Sequence, residues 1–130
     1  MDISNWEAPN VTTMIAMFQS CTSLKNVDLS NFITNKVTKI QRMFNGCSNL
    51  ESVNLCNIET NDLIWINDMF NGCAKLNSIN FLKFNMSNVT DYKAMFSRVP
   101  ITLEITTNES TKAWFNEKFP SYTNIVVPTT

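Results

Sequence analysis

Four cysteines carry most of the chemistry this sequence could perform, and three of them, Cys21, Cys47 and Cys73, are spaced 26 residues apart. Clustered thiols can hold a metal ion or close disulfides. Equal spacing of this length points instead to one thiol per structural repeat, stacked in single file along the core. Reduced, buried thiols are therefore expected ahead of disulfide pairing or a metal site. Cys56 aligns with Ser4 and Ser30 rather than with the other three, which makes it a separate, unpaired thiol. The sequence contains no His, so imidazole metal sites and Ser-His or Cys-His nucleophilic pairs cannot be built. Asp28, Glu51, Glu59, Asp62 and Asp68 occupy non-equivalent positions. They are read as solvated surface, because acid/base work needs two carboxylates held in one geometry. No catalytic, cofactor-binding or metal-binding residues are expected, and the chain is not expected to be an enzyme.

Composition narrows the partners. The 130 residues carry ten basic and eleven acidic side chains, a formal charge of −1, with no Lys/Arg run. Nucleic acid is thus not an expected partner, nor is an anionic membrane surface. Direct membrane insertion by this segment is not expected either, since no apolar stretch approaches the roughly 20 residues a spanning helix needs. The opening Met1-Asp2-Ile3-Ser4-Asn5-Trp6 has neither the basic start nor the apolar run of a secretion signal. A signal for export would have to lie upstream.

The elements that must position these residues follow from an internal repeat. Met-Phe pairs stand at Met17-Phe18, Met43-Phe44, Met69-Phe70 and Met95-Phe96, with a constant step of 26 residues. Leu24, Leu50 and Leu76 keep the same register, as do Val27, Val53, Ile79 and Ile105. Within one copy, Val37, Ile40, Met43, Phe44 and Cys47 recur at steps of three, three, one and three, which predicts one apolar face of a helix. Lys39, Gln41, Arg42 and Asn45 are then placed on its outer face. Leu50, Val53 and Leu55 read as a short strand.

A helix and a strand cannot bury their apolar faces alone, so the copies are expected to stack. The predicted fold class is an α/β solenoid: a leucine-rich-repeat-like, right-handed stack of helix-strand repeats with one parallel sheet and a C-terminal helical cap. Four repeats are placed over residues 1–107, the first truncated at its N-terminus. A capping helix and tail occupy 108–130. In that segment a strand around Ile101–Thr106 precedes a helix N-capped by Asn108 or Ser110, carrying Trp114, Phe115 and Phe119 and stopped before Pro120. Ile125-Val126-Val127 forms a final edge strand. Met1 aligns with the mid-strand Val27, so the start reads as a cut in a longer array. Ile3, Trp6, Val11 and Met14 are then expected to face solvent, at an edge that either self-associates end to end or frays.

The stretch Met43-Phe44-Asn45-Gly46-Cys47-Ser48-Asn49-Leu50-Glu51-Ser52-Val53-Asn54-Leu55, with Asn-Val-Thr at Asn10 and Asn88, resembles the BspA-type leucine-rich-repeat surface proteins. Within them it is similar to the mycoplasma lipoprotein-associated repeat family, the DUF285 or PARCEL group. Copy three departs from the pattern at Ile64 and Trp65, and copy four at Val99 and Thr102. That resemblance implies a bacterial protein at the cell surface or extracellular, a surface protein or a lipoprotein, with a role in adhesion, host interaction or antigenic variation.

The expected function is accordingly a non-catalytic protein-binding repeat module. The alternative is a cytoplasmic partner-binding protein such as an immunity or inhibitor protein. The candidate partner-binding face is the outward side of the strands. Asn26, Ser52, Ser78 and Glu104 form one row, and Asp28, Asn54, Asn80 and Thr106 form the next. Both rows are read as polar, neutral and short, and suit hydrogen bonding to a protein of host or bacterial origin, or a glycan, better than salt-driven capture. Trp65 is added as an anchor because its equivalents, Thr13, Lys39 and Asp91, are polar.

Overall fold

A computed structural model describes residues 10–129. Its framework is a five-stranded, all-parallel sheet in the order β1-β2-β3-β4-β5. Strands β1 (Asn26–Asp28), β2 (Ser52–Asn54), β3 (Ser78–Asn80) and β4 (Glu104–Thr106) each hold three residues. Strand β5 is Ile125–Val126. Every strand from β1 to β4 centres on one β-branched residue, Val27, Val53, Ile79 or Ile105, which points into the core, flanked by polar residues that point out. Pairing follows the repeat, with Val27 opposite Val53, Val53 opposite Ile79 and Ile79 opposite Ile105. A second parallel column of single bridges joins Thr13, Lys39, Trp65 and Asp91 at the same step.

The helix expected in each copy is absent among the described residues. Over 40–47 the N–H groups of Ile40, Arg42, Phe44 and Gly46 donate to the carbonyls of Trp65, Asn67, Met69 and Asn71 in the next copy, at 2.8–3.0 Å. Those of Met43, Asn45 and Cys47 instead close local turns on the residue three earlier, at 3.1–3.3 Å. Steps of three and one suit such turns as well as they suit a helix. Left-handed backbone at two positions per copy makes the turns: Ala16, Arg42, Asp68 and Ala94 at φ 55–57°, then Ser20, Gly46, Gly72 and Arg98 at φ 60–86°. Sheet pairing explains the outcome. Neighbouring strands lie about 4.8 Å apart, whereas an α-helix with its side chains is about 10 Å across. A turn ladder, one backbone thick, keeps the pitch of the strands. It also relocates Gln41, which is 8% exposed rather than on an outer face, and whose Oε1 has no hydrogen-bond partner.

Inside this framework the repeat stacks like on like. Phe18 and Phe44, then Phe44 and Phe70, lie nearly parallel with ring centres 5.4 Å apart, and Phe70 and Phe96 follow at 6.1 Å. Leu50, Leu76, Met43 and Met69 are fully buried alongside.

The chain ends its sheet with the helix α1, Glu109–Lys118. Asn108 is the N-cap; its Oδ1 accepts from Thr111 N–H at 3.0 Å, while its Nδ2 donates to the Leu82 and Phe84 carbonyls. Thr107 and Thr111 hydroxyls donate to the carbonyls of Phe81 and Phe84, and Tyr122 Oη to that of Val99. These groups occupy carbonyls of the third and fourth copies that would otherwise need donors from a further copy. Phe115, fully buried, extends the phenylalanine column 5.9 Å from Phe96. Strand β4 is shorter than the expected 101–106, because Leu103 N–H closes a turn on Pro100. At the other end, Ile3 and Trp6 lie outside the described residues. Val11 is half-buried, and Met14, expected in solvent, is 4% exposed.

Candidate partner-binding face

Alternation along β1 to β4 places the two predicted polar rows on the outer side of the sheet. Asn26, Asp28 and Glu104 are exposed, while Ser52, Asn54, Ser78, Asn80 and Thr106 are half-buried. All eight line one open groove of about 420 Å³ running across the four strands. Val27, Val53 and Ile79 contribute to its floor. Their side chains stay in the core, as the alternation predicts, at 2–4% exposure.

Hydrogen bonds fix the groove's polar groups. Ser52 Oγ donates to Asn26 Oδ1 at 2.6 Å. At the end of each of the first three strands an Asp or Asn turns the chain by accepting the N–H two residues on. Asp28 accepts from Ser30 at 2.9 Å, Asn54 from Cys56 at 3.1 Å and Asn80 from Leu82 at 3.0 Å. The second row therefore has a structural duty that the sequence reading missed, although an Asx residue after each strand's β-branched centre was its visible signal. With Oδ1 accepting in the turn, the amide Nδ2 groups are the donors that Asn54 and Asn80 can offer a ligand.

Electrostatically the groove has one sign. Its lining includes two carboxylates, Asp28 and Glu104, and no Lys or Arg. Hydrogen bonds from Ser30, the hydroxyl first and then the N–H, hold the Asp28 carboxyl below the usual carboxylate range.

Trp65 is not brought to this groove. It stands in the separate column between Lys39 and Asp91, 38% exposed, with Lys39 Nζ 4.5 Å from its ring centre. An exposed ring with an ammonium over its face is a cation–π pair, and it braces two copies.

The cysteine ladder is present, carried on turns rather than helices. Cys47 and Cys73 are fully buried, Cys21 and Cys56 half-buried, and all four are free. Cys47 Sγ donates to the Phe18 carbonyl at 3.0 Å and Cys73 Sγ to that of Phe44 at 3.1 Å. Burial raises both thiols, Cys73 to about 12, with the neighbouring Cys47 adding to the rise. Such thiols stay protonated and make poor nucleophiles. Among the described residues no three His, Cys, Asp or Glu side chains gather as a metal site, and no helix is long and apolar enough to cross a membrane.

Comparison with known proteins places the chain. Neither a curated protein nor a solved structure matches it. The family model described as Mycoplasma protein of unknown function, DUF285, matches residues 1–117. With that model running from the first residue through most of α1, the chain belongs to the DUF285 family.

Proposed function

We propose that this chain is a solenoid whose strand-side groove binds another protein, as a non-catalytic module of a bacterial surface protein or lipoprotein engaged in adhesion or host interaction. The observation that carries the reading is the groove itself. Four copies of the repeat present the same two outward positions in register, giving a rigid polar track about four strands wide. Rigidity lowers the ordering cost of binding, and repetition spreads contacts along a partner. A non-catalytic role is supported by the protonated thiols, the absence of His from the sequence and the scattered carboxylates.

The test compares the chain with a variant whose groove is filled, Ser52→Tyr with Ser78→Tyr, a change that suits strands and leaves the buried centres alone. Both are immobilised and offered a defined set of host extracellular-matrix proteins and the cytosolic fraction of the source bacterium. Binding to a matrix protein that the filled variant loses, with unchanged thermal stability, supports the proposal. Groove-dependent binding confined to the cytosolic fraction supports an intracellular partner-binding role instead. Binding that survives filling refutes the groove as the site.

A further inference from the structure

The groove's charges are not evenly spread, and their arrangement defines a ligand. Asp28 sits on β1 in the second row, Glu104 on β4 in the first, and the lining between them is neutral: Asn54, Asn80, Ser52 and Ser78. Three strand spacings of about 4.8 Å separate β1 from β4, and two residues along a strand add about 6.6 Å at right angles. The Cα atoms of Asp28 and Glu104 therefore lie about 16 Å apart on a diagonal. Between them, the Asn54 and Asn80 amides offer N–H donors, because each Oδ1 is occupied by its own turn.

We infer that the groove's occupant is an extended peptide segment of a partner protein bearing Lys or Arg at positions i and i+4. The inference rests on the proposed role of the groove. An extended chain advances about 3.3–3.6 Å per residue, so four residues span about 14 Å, and the flexible stems of Lys or Arg bridge the remainder. Residues i, i+2 and i+4 share one face of an extended chain, which puts both cations and one small residue toward the groove. Peptide carbonyls on that segment accept from the Asn amides. Two carboxylates without a cation among the lining residues repel phosphate, sulfate or acidic peptides. A glycan is disfavoured by a lining without an aromatic ring on which a sugar could stack; the exposed Trp65 belongs to another column.

Selection of a random twelve-residue peptide library against the full chain tests this. Parallel selections use D28N/E104Q, which is nearly isosteric, and the groove-filled S52Y/S78Y. The expected result is enrichment of Lys/Arg-x-x-x-Lys/Arg, with synthetic peptides of that pattern bound at least tenfold more weakly by D28N/E104Q and in 0.5 M salt. Shifting the second cation to i+3, onto the other face, should cost a similar factor. Peptides that need an open groove but show no basic spacing, or bind D28N/E104Q equally, overturn this inference and leave the groove's binding role standing. Enrichment indifferent to S52Y/S78Y overturns both. Groove-dependent capture of neutral oligosaccharides on an array, without peptide enrichment, overturns the peptide occupant in favour of a glycan.

Discussion

Replacing Phe44 by Ala removes the middle of the phenylalanine column and should be the most damaging single truncation in the second copy. Phe44 is fully buried and stacked on both sides, with Phe18 and Phe70 each 5.4 Å away and within 11° of parallel. Emptying a buried Phe site costs about 3–5 kcal/mol, and each well-placed ring pair is worth about 0.5–1.5 kcal/mol beyond its area. A ring clamped by two others belongs at the upper end, about 5 kcal/mol. Phe18, 4% exposed, has Phe44 as its stacked partner among the described residues. With one such pair rather than two, Phe18→Ala should cost about 3 kcal/mol. Phe44→Leu, which keeps apolar volume but loses both stacks, should cost about 1–2 kcal/mol. Urea unfolding followed by far-ultraviolet circular dichroism measures all three, read as midpoint shifts at constant slope. Equal losses for Phe44→Ala and Phe18→Ala would refute the claim that stability accumulates through stacked rings between copies.

Other expectations bear on the turns, the cap and the thiols. Gly72→Ala should destabilise by about 1–2 kcal/mol because φ is +86°, even though the added Cβ has room at 3.6 Å from Gly46. Ala94→Gly, at φ 57°, should be neutral or stabilising when both are measured by the same urea unfolding; the reverse order of the two would refute the left-handed turns. Asn108→Ala should cost about 2 kcal/mol, combining a lost cap with two carbonyls left without their donor. Its hydrogen-exchange signature is faster exchange in α1, with β2 unaffected. Cys47 and Cys73 should resist a thiol reagent at pH 8 until the protein unfolds, while Cys56 reacts. Their raised folded values mean that the unfolded chain loses thiol protons first, from about pH 9 upward, while the folded chain keeps them. Stability contributed by these thiols is thus intact below about pH 9 and falls as pH rises, for Cys73 on toward 12 and by up to about 1.4 kcal/mol per pH unit. Cys73→Ser should flatten that slope, and an unchanged slope would refute the assignment.

Stacking, the parallel sheet and its register were all legible in the 26-residue period, because a strict repeat lets equivalent residues meet only their own kind. Val27, Val53, Ile79 and Ile105 pair in that register. Asn108 was legible as one of two cap candidates, with Ser110, and the structure selects it. The supposed helix was not legible as turns. Spacing of three and four cannot separate an α-helix from successive three-residue turns when both put Ile40, Met43, Phe44 and Cys47 inside. What decides between them is the distance to the next copy, a tertiary quantity that no window of sequence contains. One clue was nonetheless present: Gly46 and Gly72 fall in the middle of the supposed helix's end, where glycine weakens a helix but relieves a left-handed turn.

The same distinction governs the candidate site. Positions facing outward could be named from alternation alone, but their chemistry depends on which of their atoms the fold consumes. Asn54 and Asn80 look in sequence like amides with a donor and an acceptor to offer. In the structure each spends its oxygen on its own turn and keeps its nitrogen. Asp28, at the equivalent place, spends one oxygen and keeps a negative charge, with Ser30 reinforcing it. A row read as uniformly polar and neutral thereby becomes directional: donors at the centre, an anion at one end, and Glu104 as an anion on the far strand. Trp65 shows the converse, since its exposure and its equivalents were foreseen but not the bridges that join them, and being twelve residues past Val53 rather than beside it removes it from the groove. A repeat specifies where a side chain sits; its function follows from the hydrogen bonds left unmade.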